Sequence, residues 1–345
     1  MTDLKKLTRK NILDSKPYAS ARDEFKDFEQ GMVFLDANEN PFNNGSNRYP
    51  DPQQRKLKQV LAIVKETSEN HILLGNGSDE VLDLLFRAFC EPHIDNVITL
   101  PPTYGMYGVL ANLNAVENRE VVLTDTFQPD ILGILNQIDT NTKLIFFCSP
   151  NNPTGNSFSE KYILELLQKF DGLVVLDEAY IDFSDRPSWL KKLAQYPNLV
   201  ITQTLSKAYG MAGIRVGILY AAAEIIYILN SIKPPYNING YSQQLACTRM
   251  ANMADIQNQI QVIKSQKAVL ISQLKTIPLI QKIHPSDANF VLIAVDDATL
   301  RYKQLLENRI VVRNRSHEPL CENCLRVTIG TPAENQNLIY TLQSL

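Results

Sequence analysis

Long hydrophobic runs are missing from this chain of 345 residues. No stretch approaches the roughly 20 apolar residues of a membrane-spanning helix, and the opening MTDLKKLTRKNILDSK lacks the apolar core of a signal peptide. These absences lead us to expect a cytoplasmic protein with no membrane partner. Excess positive charge is missing too. Against 37 Asp and Glu stand 34 Lys and Arg, a formal net charge of −3, and without a long basic run nucleic acid is not an expected partner. Cysteine is sparse and odd in number, five in all, scattered at Cys90, Cys148, Cys247, Cys321 and Cys324, which suits a reducing compartment. Cys321 and Cys324 have the spacing of half a zinc site, but no second pair accompanies them and no metal is expected. The histidines, His71, His93, His284 and His317, show no ligand spacing and are assigned no chemistry, and the single tryptophan, Trp189, is read as packing. Internal repeats and low-complexity segments are also absent. What remains is a globular chain, 44% hydrophobic, long enough for a large core and two domains.

The residues that carry chemistry centre on 198–217, NLVITQTLSKAYGMAGIRVG. Its apolar, β-branched part, 199–205, reads as a buried strand. The strand ends at Ser206 and Lys207, where Ala208, Gly210, Ala212 and Gly213 leave room for a bulky ligand. By itself such a lysine is a loop side chain in water. Two neighbours change that reading. Arg215 adds a second cation, and one crossover upstream a strand at 173–176 ends in Asp177, Glu178, Ala179 and Tyr180. A lysine and a carboxylate at neighbouring strand ends, with a phenol close by, are what pyridoxal 5'-phosphate (PLP) chemistry requires. The lysine bonds the aldehyde and later moves protons. The carboxylate keeps the pyridine nitrogen protonated so that the ring accepts electrons, and the phenol can hydrogen-bond the ring oxygen.

Along the chain, residues 1–30 read as a polar arm, followed by a short strand at 33–35, a proline-stiffened loop at 48–53 and a helix at 53–66. Gly75 and Gly77 permit a tight turn, with Ser78 as the expected cap of a helix at 79–90 and two acids in its first turn. Such a helix start is an ordinary cap or, beside a PLP lysine, a phosphate cradle. Strands are expected at 97–100, 120–123, 143–148, 173–176, 199–204 and 214–220, with helices from about 104, at 130–137 and at 159–170. Near-continuous apolar strands between helices predict an α/β fold, a mostly parallel sheet covered on both faces. The carboxyl ends of its strands, where ligands sit in such sheets, carry Asn76, Tyr104, Asn152, Asp177 and Lys207. After Pro234, Pro235 and Gly240 come a long helix at 242–276, strands at 289–295, 310–313 and 325–329, and helices at 297–308 and the C-terminus. The expected division is an arm at 1–30, a large domain at 31–238 and a smaller α+β domain at 239–345.

LSKAYG at 205–210, GIRVG at 213–217, DEAY at 177–180 and SPNNPTG at 149–155 together resemble aminotransferases of PLP fold type I. PYASAR at 17–22, LDANENP at 35–41, RYPDP at 48–52, GSDE at 77–80, PTYGMY at 102–107, PSDANF at 285–290, Val312-Arg313 and CLRVTIG at 324–330 narrow the likeness to the histidinol-phosphate aminotransferase family. The resemblance implies a homodimer that transaminates histidinol phosphate with 2-oxoglutarate in histidine biosynthesis. It implies that Lys207 bonds the cofactor, Asp177 faces the pyridine nitrogen, Tyr180 and Asn152 donate to the ring oxygen, and Tyr104 stacks on the ring. Ser78, Asp79, Glu80, Ser206 and Arg215 resemble the phosphate cup, with Tyr49 reaching it from the other subunit. Arg326 and Arg313 resemble the substrate-anion arginines, Tyr18 a lid and Asn40 a substrate contact. Taken singly, Arg326 suits a structural salt bridge, and Tyr18 and Tyr49 suit packing.

Two other readings stay open on sequence. One is a different PLP enzyme, an aromatic aminotransferase or a threonine-phosphate decarboxylase, because the bond that breaks depends on a geometry that sequence does not show. The other is a non-enzymatic PLP sensor, against which stands the lack of a helix-turn-helix segment before residue 33.

Overall fold

The computed structural model describes residues 3–16 and 32–345. Its large sheet is built from β1 (Ile72–Asn76), β2 (Asn96–Thr99), β3 (Glu117–Glu120), β4 (Thr142–Cys148), β5 (Leu173–Asp177), β6 (Leu199–Thr204) and β7 (Val216–Tyr220). Their spatial order is β1-β7-β6-β5-β4-β2-β3. Pairing is parallel from β6 through β3, and β7 runs antiparallel to both of its neighbours. The helices are α1 (Leu4–Leu7), α2 (Lys10–Leu13), α3 (Arg55–Val64), α4 (Ser78–Phe89), α5 (Met106–Leu113) and α6 (Ile131–Gln137). They continue with α7 (Glu160–Lys169), α8 (Ala223–Ile232), α9 (Gly240–Met250), α10 (Met253–Leu274), α11 (Ala298–Glu307) and α12 (Pro332–Ser344).

The two-residue period of the strands sorts their side chains between two helical layers. Leu73, Val97, Phe146 and Val175 pack with α4, α5 and α8. Leu74, Ile98, Phe147 and Leu176 pack with α3, α6, α7 and α9. Burial on both faces explains why the strands are apolar throughout rather than alternating. It also sets the direction of Asp177. Standing in phase with Leu173 and Val175, it turns toward α5.

A second sheet, antiparallel, consists of β8 (Ile280–Ile283), β9 (Phe290–Val295), β10 (Arg313–Asn314) and β11 (Cys324–Thr328), in the order β10-β11-β9-β8. Val291, Ile293, Leu325 and Val327 point to α11, α12 and the end of α10. Phe290, Leu292 and Cys324 point the other way and join the large sheet's core. Arg326 stands opposite Leu292 in the ladder, so it faces the large sheet as well. The first half of α10, through Ile256 and Ile260, packs on that core, while Leu270 and Leu274 belong to the small one.

Several expected elements differ. No strand forms at 33–35, where Val33 and Leu35 are 81% and 86% exposed. The ladder on β2 comes at Glu117–Glu120 rather than at 120–123. The expected long helix is two helices, since Asn252 accepts from the Asp255 N–H and starts α10 afresh. The expected strand at 310–313 is reduced to β10. Ser78 is the first helical residue, and Gly77 occupies the cap position. Sequence reading missed α1, α2, α8 and β8 altogether.

Candidate active site

The site is assembled where β1, β4, β5 and β6 end. Between β1 and α4 the chain turns at Gly77, whose φ of +84° belongs to the region open to glycine. The Gly77 N–H donates to the Arg215 carbonyl at 2.9 Å. A Cβ on Gly77 would strike the Arg215 guanidinium, and one on Gly217 would strike the Gly77 and Ser78 backbone. Glycine at both positions therefore lets Arg215 lie against the amino end of α4. Asp79, in that helix's first turn, accepts the Tyr104 hydroxyl at 2.9 Å and stands 3.8 Å from Arg215.

Ser78, Asp79, Tyr104, Asn152, Asp177, Tyr180, Ser206, Lys207 and Arg215 line one cavity. Glu80 is not among its lining residues. Its carboxylate turns back to accept from the Asn76 N–H at 2.5 Å and from Asn237 Nδ2 at 2.8 Å, so it braces the turn that carries the cup.

Asp177 is fully buried, and desolvation raises its pKa above the usual carboxylate range. Donors oppose that shift, chiefly the Tyr107 hydroxyl at 2.7 Å from Oδ2 and the Ala179 N–H at 3.1 Å from Oδ1. Within the described residues no cation forms an ion pair with it. A buried carboxylate facing a cavity without a cationic partner suits the pyridinium nitrogen of PLP, so the donor set fits that cofactor. Lys207 Nζ lies 5.9 Å from the Tyr180 ring centroid. Burial, then the charges of Arg326 and Arg215, hold its ammonium below the ordinary lysine value, which favours a free amine. Burial holds the Tyr180 phenol protonated, with its pKa well above the usual value, and its ring meets Phe290 edge-on at 5.1 Å.

Arg326, on β11, is not among the lining residues but touches one of them. Its guanidinium lies over Phe290, 5.3 Å from the ring centroid, and donates through Nη1 to Asn152 Oδ1. Arginine only donates, so it holds the amide oxygen and leaves Asn152 Nδ2 as the free donor.

Other expected residues lie apart. Tyr49 is 51% exposed and stacks on Tyr236 with centroids 4.5 Å apart. It lines a separate cavity with Arg48, Pro50, Gly240 and Tyr241. Asn40 is exposed and accepts from the Phe42 N–H at 2.9 Å. Arg313 faces Arg326 across the β10–β11 pair, but its side chain is exposed. Tyr18 lies outside the described residues.

Three residues escaped the sequence reading. Tyr107 belongs to the PTYGMY motif, yet nothing local says that its hydroxyl meets Asp177 70 residues away. Glu178 is buried and accepts from Ser188 Oγ at 2.5 Å, the Trp189 N–H at 2.7 Å and Gln203 Nε2 at 2.9 Å. It fixes the chain just after Asp177. Arg315, also missed, joins Arg326 on the small sheet. Cys321 and Cys324 are buried free thiols, and among the described residues no group of three or more His, Cys, Asp or Glu could hold a metal ion. Nor is any described helix long and apolar enough to cross a membrane.

Residues 24–342 match the family model for aminotransferase class I and II. The histidinol-phosphate aminotransferase of Flavobacterium psychrophilum is 62% identical over 343 residues, 99% of either chain. The solved histidinol-phosphate aminotransferase from Sinorhizobium meliloti, in complex with pyridoxal-5'-phosphate, superposes with a TM-score of 0.79 at 23% identity, over 86% of this chain and 82% of that one. L-threonine-O-3-phosphate decarboxylase from Porphyromonas gingivalis gives 0.73 at 24% identity, over 86% and 90%. The fold is thus shared by proteins named for different reactions and does not choose between them. Full-length identity does so at the level of family: this chain belongs to the aminotransferase class I and II family, and within it to the histidinol-phosphate aminotransferases.

Proposed function

We propose that this enzyme is a cytoplasmic, PLP-dependent homodimer that transfers the amino group of histidinol phosphate to 2-oxoglutarate. The products are imidazole acetol phosphate and glutamate, in histidine biosynthesis. One observation carries the reading. Arg326 donates to Asn152 at the edge of the cofactor cavity, so an anion held by Arg326 lies within reach of the group that Lys207 and Asp177 serve. Such an enzyme takes a phosphate-tailed donor and a dicarboxylate acceptor in turn, and a guanidinium pairs bidentately with either.

When bound, PLP supplies an aldehyde and a ring that accepts the electron pair left as the substrate Cα–H bond breaks. The chain's own groups do the rest. Arg215, Ser206, Ser78 and the amino end of α4 hold the phosphate. Asp177, which accepts from Tyr107 and the Ala179 N–H, holds a proton on the ring nitrogen. Tyr180 and Asn152 Nδ2 donate to the ring oxygen, and Tyr104, tied down by Asp79, covers one ring face. Lys207, its basicity lowered by burial and two arginines, would take the proton that leaves the substrate carbon and deliver it to the aldehyde carbon of the bound cofactor.

Homodimerisation rests on the loop at 32–50 and the start of α9, which the Tyr241 hydroxyl joins by donating to the Gly45 carbonyl at 3.3 Å. Here Val33, Leu35, Phe42, Tyr49, Tyr241 and Leu245 are exposed, an apolar surface that a second copy would cover. Five free cysteines suit the cytoplasm. Steady-state assays with histidinol phosphate, phenylalanine and threonine phosphate test the substrate. We expect the highest kcat/KM for histidinol phosphate with 2-oxoglutarate. Preference for phenylalanine, or CO2 released from threonine phosphate, overturns the reading.

A further inference from the structure

We infer that Lys65 is a positioning residue, an ammonium that ties the turn carrying Lys207 to the turn carrying Tyr180 and so holds both at the cofactor. This rests on the roles given to Lys207 and Tyr180 above. Lys65 ends α3 as its C-cap and is not among the residues that line the cofactor cavity. Its Nζ forms an ion pair with Asp182 Oδ1 at 3.3 Å. The same Nζ hydrogen-bonds the Tyr209 hydroxyl and lies 5.3 Å from the centre of that ring. Asp182 stands two residues after Tyr180, and Tyr209 two residues after Lys207. One largely buried side chain thus bridges the segments that leave the neighbouring strands β5 and β6.

Within each turn the bonds are local. The Gly210 N–H donates to the Lys207 carbonyl at 3.1 Å, the Met211 N–H to the Leu205 carbonyl at 3.0 Å, and the Phe183 N–H to the Tyr180 carbonyl at 3.1 Å. Such bonds shape a turn without fixing where it sits against its neighbour. Packing gives the Lys207 turn little help, since a Cβ added at Gly210 or Gly213 would meet no described atom within 4 Å. Tyr209 is the part of the turn that is buried in the core. It is also gripped from outside, at its hydroxyl by Lys65 and at its carbonyl by Arg249 Nε at 3.1 Å.

A buried ion pair is a poor device for stability alone. Taking both charges out of water offsets much of their attraction, and apolar side chains of similar volume commonly serve as well. What the ammonium adds is direction, because its N–H donors must meet particular acceptors, whereas apolar contacts can slide. Burial by itself would lower the Lys65 pKa, but Asp182 and Tyr209 outweigh it and keep the ammonium charged. That charge also bears on Glu178, the buried carboxylate next to Asp177. The competing role is structural, with Lys65 serving only to fasten the end of α3.

The holoenzyme variants Lys65→Met, Lys65→Arg, Tyr209→Phe and the double variant of Lys65→Met with Tyr209→Phe separate the two roles. Mass spectrometry of the borohydride-reduced wild type is the control. A pyridoxyl group anywhere but on Lys207 overturns that residue's assignment and this inference together. Given the adduct on Lys207, Lys65→Met should lower kcat about 10-fold with both KM values within about twofold, because a displaced amine slows proton transfer and leaves substrate binding alone. The visible circular dichroism of the bound cofactor, which reports how firmly its ring is fixed, should fall at unchanged absorbance. Lys65→Arg should recover part of both losses. Tyr209→Phe should show a smaller form of the same defect, and the double variant should be no slower than Lys65→Met, since both changes remove one contact. A lower melting temperature with unchanged kcat and dichroism, a defect confined to KM, or additive losses in the double variant would overturn the inference while leaving the Lys207 assignment intact. Should Lys65→Met not fold, Tyr209→Phe decides alone, and wild-type kcat and dichroism in it overturn the inference.

Discussion

Tyr107→Phe removes one oxygen from the pair beneath the cofactor site and leaves the packing in place. The ring stacks on Phe146 at 4.9 Å and meets Tyr104 edge-on at 5.6 Å, contacts that phenylalanine keeps. Desolvation raises the Asp177 pKa, and the Tyr107 hydrogen bond is the largest of the interactions opposing it. A hydrogen bond to a charged group contributes about 1.5–3 kcal/mol, and one pKa unit corresponds to about 1.4 kcal/mol. The Asp177 pKa should therefore rise by about one to two units in the variant. A more basic carboxylate takes a larger share of the proton it holds in common with the ring nitrogen, and the ring accepts electrons less well. Stopped-flow single turnover should show proton removal slowed about 10-fold, at unchanged substrate affinity. A pH titration of the bound cofactor's visible absorption provides the second readout. Its midpoint should move to higher pH, because a less positive ring leaves the Lys207 nitrogen more basic. An unchanged midpoint with an unchanged rate would refute the reasoning and reduce Tyr107 to a packing residue.

Arg326→Ala should weaken both substrates by about 10- to 150-fold, the equivalent of losing about 1.5–3 kcal/mol; a defect in one half-reaction alone would show that the anion site is not shared. Asp177→Asn should stabilise the cofactor-free protein at neutral pH. The folded-state pKa values of Asp177 and Glu178 are both raised by burial, so the wild type loses stability as pH rises from the ordinary carboxylate range through those values. Thermal melts of the two proteins should converge toward about pH 4, and a gap that does not depend on pH counts against the buried-charge argument. For Tyr49, mixing Lys207→Ala chains with Tyr49→Ala chains should restore roughly a quarter of wild-type activity. Half of randomly exchanged dimers are mixed, and each has one intact site of two. Verified heterodimers with no more activity than their parents would place Tyr49 in its own chain's site or in none.

Legibility in the sequence followed the range of the interactions involved. Lys207 and Asp177 could be read because each follows a run of β-branched and aliphatic residues, and the ends of parallel strands are neighbours by construction. Gly77 was legible for the same local reason, as a turn between a strand and a helix. Whether 33–35 forms a strand was not legible, since ladder pairing depends on residues outside the segment. The antiparallel direction of β7 was equally hidden, since its apolar run looks the same in either direction.

By itself, then, the sequence determined the alternation of strands and helices, the carboxyl-edge position of the candidate site and, through its motifs, the family. Those features rest on backbone propensity and on side-chain periods of 2.0 and 3.6, which act over a few residues. Only the tertiary structure decided that Tyr107 donates to Asp177, that Glu80 braces a turn instead of lining the cup, and that Arg326 grips Asn152. It also decided that Lys65 ties Asp182 to Tyr209. Each of these depends on which strand face or helix meets which other across tens to hundreds of residues. That choice is made by packing and register in the whole core, and a short segment of chain carries no record of it.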